Sequence, residues 1–444
     1  MTTAREVALL TLDACERQGA WSDGYLKKTI RRANLDRRDA ALATRICFGV
    51  LQNRMLIDYY LKGFSKIRLE KLEPKILCIL RIALYQLLFL DKVPAHAAVY
   101  DAVAHAKHYS RNPRSSGLVN GILRSFLREK GNLPVVQGCD ERETLSLRYS
   151  HPKWLVEYFC TELGITETEQ LLQANNAQPP TTIQVNLLHT GTRALKEELE
   201  EEGIVVNAHP WLENCLLLTG SGDLEQLRAY QKGNFYVQDA ASRLAVLAAG
   251  IEPGQQVLDC CGAPGGKSFA AAIQMNGKGS VIVCDIHPHK VQLIEAGRKR
   301  LGFTSMTAIE QNAREHVKDW ENTFDVVLAD VPCSGLGIIR KKPDIRFKDP
   351  TVLKGLPLVQ SAILDNVCTY VKAGGVLLYS TCTLLKAENQ NVIQMFLTEH
   401  PDFTLESFHL PGAIGQVEGM VTLWPHRHGT DGFFFAKLRR QIHD

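Results

Sequence analysis

The stretch Leu258–Ser268, LDCCGAPGGKS, lies between a short apolar run and an alanine-rich one, and its reading decides the fold. Apolar residues give way to glycines and then to helix formers, the pattern of a strand that turns tightly into a helix. A loop that cradles phosphates needs Gly, four residues, then Gly-Lys-Ser/Thr; here only three residues separate Gly262 from Gly266-Lys267-Ser268, so the cradle is one residue short. The dinucleotide pattern GxGxxG is absent as well. What remains is a turn whose Gly262, Gly265 and Gly266 let the backbone approach a ligand closely, since glycine has no Cβ.

Working outward, short apolar runs alternate with helical stretches: QVLDCC, SVIVCDI, FTSMTAIEQN, FDVVLADV, GGVLLYSTCT and DGFFFAKLRR. That alternation predicts a mostly parallel sheet with helices on both faces, in which ligands gather beyond the carboxyl ends of the strands. Asp285 ends the second run, where an acid grips ribose hydroxyls in nucleotide-binding α/β folds. Asp330 and Cys333 follow the fourth run, and Thr381 and Cys382 the fifth. A glycine turn, two aspartates and two thiols should therefore converge on one crevice that suits a nucleoside cofactor without a pyrophosphate. A thiol in such a place suits methylation of a poorly nucleophilic ring carbon. Adding a thiolate to C6 of cytosine turns the base into an enamine whose C5 attacks a methyl sulfonium, one difficult step becoming two easier ones.

The rest of the chain reads differently. Residues 1–130 show apolar residues at three- and four-residue spacing throughout, as in AREVALLTLDAC, RDAALATRICFGVLQN and PKILCILRIALYQLLFL, which predicts an all-α domain. They hold 23 Lys and Arg against 12 Asp and Glu, a balance of +11 that leaves −8 for the remainder of a chain whose total is +3. One end is built to approach a polyanion, and its clusters LKKTIRRANLDRR, with Arg31, Arg32, Arg37 and Arg38, and HYSRNPRSSG are the candidate phosphate contacts. A connector follows over 131–175, with turn formers in EKGNLPVVQGCDERETLSLRYS and then the helical HPKWLVEYFCTELG and ETEQLLQANNAQ. Residues 176–235 read as a small α/β subdomain and 236–444 as the catalytic domain.

Composition closes several classes. With 45% apolar and 22% charged residues the chain is ordinary globular material. No apolar run reaches the length of a membrane span, and the opening MTTAREVALLTLDACERQG lacks the basic, cleavable character of a signal peptide, so a cytoplasmic protein with no membrane partner is expected. The 12 cysteines show neither paired spacing nor nearby histidine pairs, and His96, His105 and His108 have no ligating arrangement, so neither a disulfide framework nor a metal site is expected.

CGAPGGK, DVPCSG, YSTCT and DGFFFAKL together resemble the motifs of the bacterial RNA cytosine-C5 methyltransferases of the NOL1/NOP2/Sun family, and the helical N-terminus resembles the RNA-binding domain of NusB. RYSHPKWLVEYF and LLQANNAQPPTTIQVN resemble that family's connector and its RNA-recognition-like insert, so the likeness covers nearly the whole chain. It implies a multidomain protein with a Rossmann-like, S-adenosylmethionine-dependent catalytic domain. The implied substrate is 16S rRNA, free or in an early small-subunit assembly intermediate, with cytosine 967 as target and no obligate protein partner. It makes Cys382 the attacking thiol and Cys333 the residue that helps eliminate the adduct, an order that spacing alone does not give. It assigns Cys261, Gly262, Ala263, Pro264, Gly265, Gly266, Lys267, Asp285, Asn312 and Asp330 to the cofactor, with Asp330 also touching the base and Lys267 ordering the turn.

Three positions depart from the family pattern. Gly262 and Val331 stand where alanine is frequent, changes small enough to be tolerated; Asn312 stands where an aspartate is usual, and its amide oxygen can still accept from the adenine amino group. Residues alone leave other readings open: the same chemistry on another rRNA or a tRNA, an RNA-binding protein with an inactive methyltransferase fold, or a nucleotide-dependent ATPase. Binding of S-adenosylhomocysteine without binding of Mg-ATP separates the methyltransferase from the ATPase.

Overall fold

The computed structural model describes residues 2–442, which divide into two compact units, one of residues up to 177 together with 339–348, the other of 178–338 with the chain from 349 on.

The first unit is helical, and its centre is the helix Pro74–Phe89. Proline opens that helix, where the missing N–H costs nothing, and ILCILRIALYQLLF is apolar on every side, so the helix is enclosed rather than amphipathic. The one arginine inside it, Arg81, is 8% exposed and is met by both Asp58 carboxylate oxygens at 2.7 Å and by Glu16. Helices Ser22–Ala33 and Arg37–Gln52 are separated by a left-handed Asn34 and by Asp36, whose carboxylate caps the second by accepting from Asp39 N at 2.8 Å. The connector contains a helix that its turn formers concealed, Glu141–Tyr149, capped by Asp140 at one end and a left-handed Ser150 at the other. Residues 339–348, part of the expected catalytic domain by sequence, pack with this helical unit. Arg346 is fully buried and donates to the carbonyls of Gln52, Tyr149, Ser150 and Pro343 and to Asn176 Oδ1. A buried guanidinium with that many donors needs such a ring of acceptors.

The second unit begins with strands β1 (Thr181–Val185), β2 (Val205–Ala208), β3 (Cys215–Thr219) and β4 (Phe235–Val237), an antiparallel sheet in the order β2-β3-β1-β4. Helix Thr192–Glu201 covers it through Leu195 and Leu199. DLEQLRAYQKG, which reads as one helix, is instead a 3-10 turn over Leu224–Gln226 and a single helical turn over Arg228–Gln231.

The large sheet uses β5 (Gln256–Asp259), β6 (Ser280–Asp285), β7 (Met306–Glu310), β8 (Phe324–Asp330), β9 (Val371–Thr381) and β10 (Phe403–Leu405); β11 (Phe408–Leu410) and β12 (Gly415–Val417) form a separate two-stranded hairpin, and β13 (Met420–Leu423) and β14 (Phe433–Arg440) return to the large sheet. Its order is β10-β14-β9-β8-β5-β6-β7, with β13 also on β14; β5 to β9 pair in parallel, while β10, β13 and β14 run antiparallel. Alternate residues serve two cores. Val257, Val283, Val326, Leu328 and Leu378 join one with helices Ala240–Ala249 and Gly266–Gln274, while Leu258, Cys284, Val327, Ala329 and Tyr379 join another with Leu356–Val367 and Gln390–Glu399. This double-sided burial is why these strands read as continuous apolar runs.

Candidate active site

Strand β5 delivers the chain to the glycine turn, and the turn is held from two directions. Gly262 N donates to Cys284 O of β6 at 2.8 Å, and Gly265 N donates back to Gly262 O at 2.7 Å. The Ala263–Pro264 peptide between them is cis. A Cβ on Gly265, whose φ is +110°, would stand 2.3 Å from the Phe269 ring. On Gly262 it would stand 2.4 Å from Val283 Cγ1 and 2.9 Å from Asp259 Cγ, so a side chain at 262 requires movement of a buried valine. Within the turn, Pro264 is exposed, and Cys261, Ala263 and Gly266 are half-buried.

Asp259, which sequence reasoning passed over although it sits inside the quoted stretch, closes the floor of the turn. It is fully buried, accepts from Ser268 Oγ at 2.6 Å, and its other oxygen has no partner among the described residues. Burial, partly offset by Ser268, pushes its carboxyl from 3.8 up to about 6. An acid whose folded pKa is raised binds a proton more tightly when native. Its carboxylate therefore costs stability above pH about 6, and the cost shrinks as the pH falls and is gone below about 4. Asp259→Asn keeps an acceptor for Ser268, so without cofactor it should be more stable than the parent at pH 8 by about 3 kcal/mol, the gap closing near pH 4. Thermal melts at both pH values check this; equal melting at pH 8 would mean that the carboxylate is compensated.

The remaining cofactor candidates line the next strand ends. Asp285 is buried at the end of β6, where its carboxylate accepts from His287 N at 3.0 Å and pairs with Lys290 at 3.4 Å. Asn312 lies two residues beyond β7 and is turned into its own loop: Oδ1 accepts from Arg314 N at 3.2 Å and Nδ2 donates to Glu315 at 2.9 Å. Its oxygen keeps one lone pair for a further donor. Lys267 Nζ lies 2.6 Å from Asp330 Oδ2 and 4.9 Å from the centre of the Phe433 ring, while Asp330 Oδ1 accepts from Ser380 Oγ at 2.9 Å. Lys267 thus reaches the carboxylate at the end of β8 and fixes it, with Ser380 as a partner that the sequence did not suggest.

Register brings the thiols together. Asp330 of β8 pairs with Ser380 of β9, so Cys333 and Cys382 leave adjacent strand ends side by side, their Sγ atoms 3.2 Å apart and both half-buried. The hydrogen bond from Cys333 holds the Cys382 thiol below the usual 9.0, with Lys267 adding to the effect against burial and the nearby Asp330 and Asp431. The same bond, then burial, drives the Cys333 thiol well up. The two sulfurs are within hydrogen-bonding distance of one another, and either can donate.

Arg31, Arg32, Arg37 and Arg38 are exposed on either side of the Asn34 turn in the helical unit. No described helix is long and apolar enough to cross a membrane, and all 12 cysteines are free thiols. Among the described residues one group of potential metal ligands occurs, Asp365, Glu399 and His400, with both carboxylates exposed.

Residues 246–439 match the family described as 16S rRNA methyltransferase RsmB/F, residues 2–128 the NusB family, and residues 151–225 the ferredoxin-like domain of RsmF/B-like methyltransferases. The probable ribosomal RNA small subunit methyltransferase B of Bacillus subtilis is 36% identical over 449 residues, 99% of each chain. The chain belongs to the methyltransferase B family. The crystal structure of PH0851 has a TM-score of 0.82 at 27% identity, covering 98% of this chain and 99% of that one. A methyltransferase homolog protein from Pyrococcus horikoshii has 0.59 at 25%, covering 68% and 100%. As a family B methyltransferase the chain uses S-adenosylmethionine. The site fits that group: a buried Asp259 oxygen lacks a partner among the described residues, Asp285 offers a carboxylate at the neighbouring strand end, and Asn312 Oδ1 keeps a lone pair for a further donor.

Proposed function

We propose that this chain methylates C5 of a cytosine in 16S rRNA, at position 967, through a covalent Cys382–C6 adduct that Cys333 helps to resolve. The observation that carries the reading is the pair of sulfurs 3.2 Å apart beside the Lys267–Asp330–Ser380 cluster. S-adenosylmethionine, held by residues 261–267, Asp285 and Asn312, supplies an electrophilic methyl group. Cys382 thiolate adds to C6, and C5 takes the methyl group. With its sulfur bonded to C6, Cys382 no longer carries the negative charge that holds the proton on Cys333, and that proton passes to solvent water; the Cys333 thiolate then takes the C5 proton, the C–H electron pair re-forms the C5–C6 double bond, and the C6–S bond breaks to release Cys382 as thiolate. Asp330, fixed by Lys267 and Ser380, faces the base with spare lone pairs and accepts from the cytosine amino group, which uracil lacks. The Arg31, Arg32, Arg37 and Arg38 surface holds RNA phosphate in the cytoplasm, on free rRNA or on an early small-subunit intermediate.

Bisulfite sequencing of rRNA from a strain lacking the gene tests the target. One protected cytosine, at 967, should become convertible and regain protection after incubation with the purified protein and S-adenosylmethionine. Unchanged 16S rRNA with a lost mark on another rRNA or a tRNA would keep the chemistry and move the substrate.

A further inference from the structure

Residues 388 and 389 follow the second thiol loop and look in sequence like ordinary polar loop positions. Both are 1% exposed. Glu388 Oε2 accepts from Ser334 N at 2.8 Å and from Gln360 Nε2 at 3.0 Å, and the same Gln360 nitrogen donates to Pro332 O at 3.0 Å. The residues on both sides of Cys333 are thus tied to one carboxylate. Asn389 does the same for the other thiol. Its Oδ1 accepts from Thr381 Oγ1 at 2.6 Å and its Nδ2 donates to Thr383 O at 3.0 Å, one residue either side of Cys382. Ser334 Oγ and Thr383 Oγ1, 2.6 Å apart, join the two loops.

We infer that Glu388 and Asn389 form a common mount for the two thiols, Glu388 a positioning residue for Cys333 and Asn389 for Cys382. The assignment rests on the two-thiol reading above. Neither side chain needs to touch substrate, yet two adjacent residues control different steps because each grips the neighbours of a different sulfur. A buried carboxylate is retained here because it accepts a backbone N–H and an amide N–H at once, and a buried amide because it presents one acceptor and one donor in opposite directions.

The test is single-turnover methyl transfer to 16S rRNA together with the RNA-linked band on a denaturing gel. Misplacing a reacting group by about 1 Å costs on the order of 100-fold. Glu388→Ala should transfer its methyl group and then accumulate the linked band, with resolution slowed to that degree. Asn389→Ala should slow transfer to that degree and show little linked band. Glu388→Gln, whose amide oxygen can replace Oε2 toward both donors, should restore resolution to within a few-fold. Should Glu388→Ala not fold, as judged by S-adenosylhomocysteine binding, Gln360→Leu releases Pro332 and should accumulate the same band. Identical defects in the Glu388 and Asn389 variants, or a Glu388→Gln as slow as alanine, would overturn the mount. Cys333→Ser and Cys382→Ser run alongside; if these two fail to differ, the two-thiol reading itself fails.

Discussion

Cys382→Ser is expected to methylate no RNA at any pH while binding S-adenosylhomocysteine as the parent does. Serine keeps the shape, but its hydroxyl is not ionised by a neighbouring thiol, and losing a covalent nucleophile costs about 10⁴-fold or more. Cys333→Ser should differ in kind. Addition and methyl transfer can proceed, but no base takes the C5 proton, so protein linked to methylated RNA accumulates on a denaturing gel. In the parent, transfer should reach its plateau below pH 9.0, because the hydrogen bond from Cys333 lowers the Cys382 thiol; with Cys333→Ala that donor is gone and the plateau should move to higher pH. A linked band in Cys382→Ser and none in Cys333→Ser would exchange the two roles.

The second large effect lies far along the chain from the chemistry. Replacing Arg31, Arg32, Arg37 and Arg38 together by glutamate should weaken RNA binding by about 100-fold or more at low salt. It should also flatten the dependence of log K on log salt by about 3, at roughly 0.7–0.9 per phosphate contact. Arg37 and Arg38 begin a helix, where an acid is welcome, whereas Arg31 and Arg32 end one, where it costs up to about 1 kcal/mol each. A melting curve separates that cost from the loss of RNA. Affinity for the cofactor should not change. RNA binding that keeps its strength and salt slope would remove this surface from the account.

Legibility in sequence followed the geometry of burial. FDVVLAD could be recognised as a strand because Val326 and Leu328 face one core and Val327 and Ala329 the other, and double burial leaves an unbroken apolar run. Helix Glu141–Tyr149 was lost among turn formers, although Asp140 with Glu143 three residues on is a helix-start signal, and both side chains are used, Asp140 on Glu143 N and Glu143 on Cys139 N. The placement of 339–348 was not legible, because KKPDIRF looks like exposed charge and only the fold buries Arg346.

The candidate site divided in the same way. Residues that end strands, Asp285, Asp330, Cys333 and Cys382, could be drawn together from topology alone. Spacing did not order the two thiols, and their contact, in which either sulfur can donate, does not order them either; the order comes from the family resemblance. Partners that act through other residues were invisible. Ser380, Gln360, Glu388 and Asn389 carry no motif of their own: the first three gain their places by hydrogen-bonding residues distant in sequence, and Asn389 by bonding Thr381 and Thr383, close by in the chain.

The covalent step is tested most directly with 16S rRNA carrying 5-fluorocytidine at the target. Fluorine at C5 leaves no proton to remove after methyl transfer, so the adduct cannot resolve and is preserved for digestion and mass spectrometry. The account predicts a single modified peptide bearing the methylated fluoropyrimidine on Cys382. Attachment to Cys333, or methylated RNA released with no attachment to either cysteine, would contradict it.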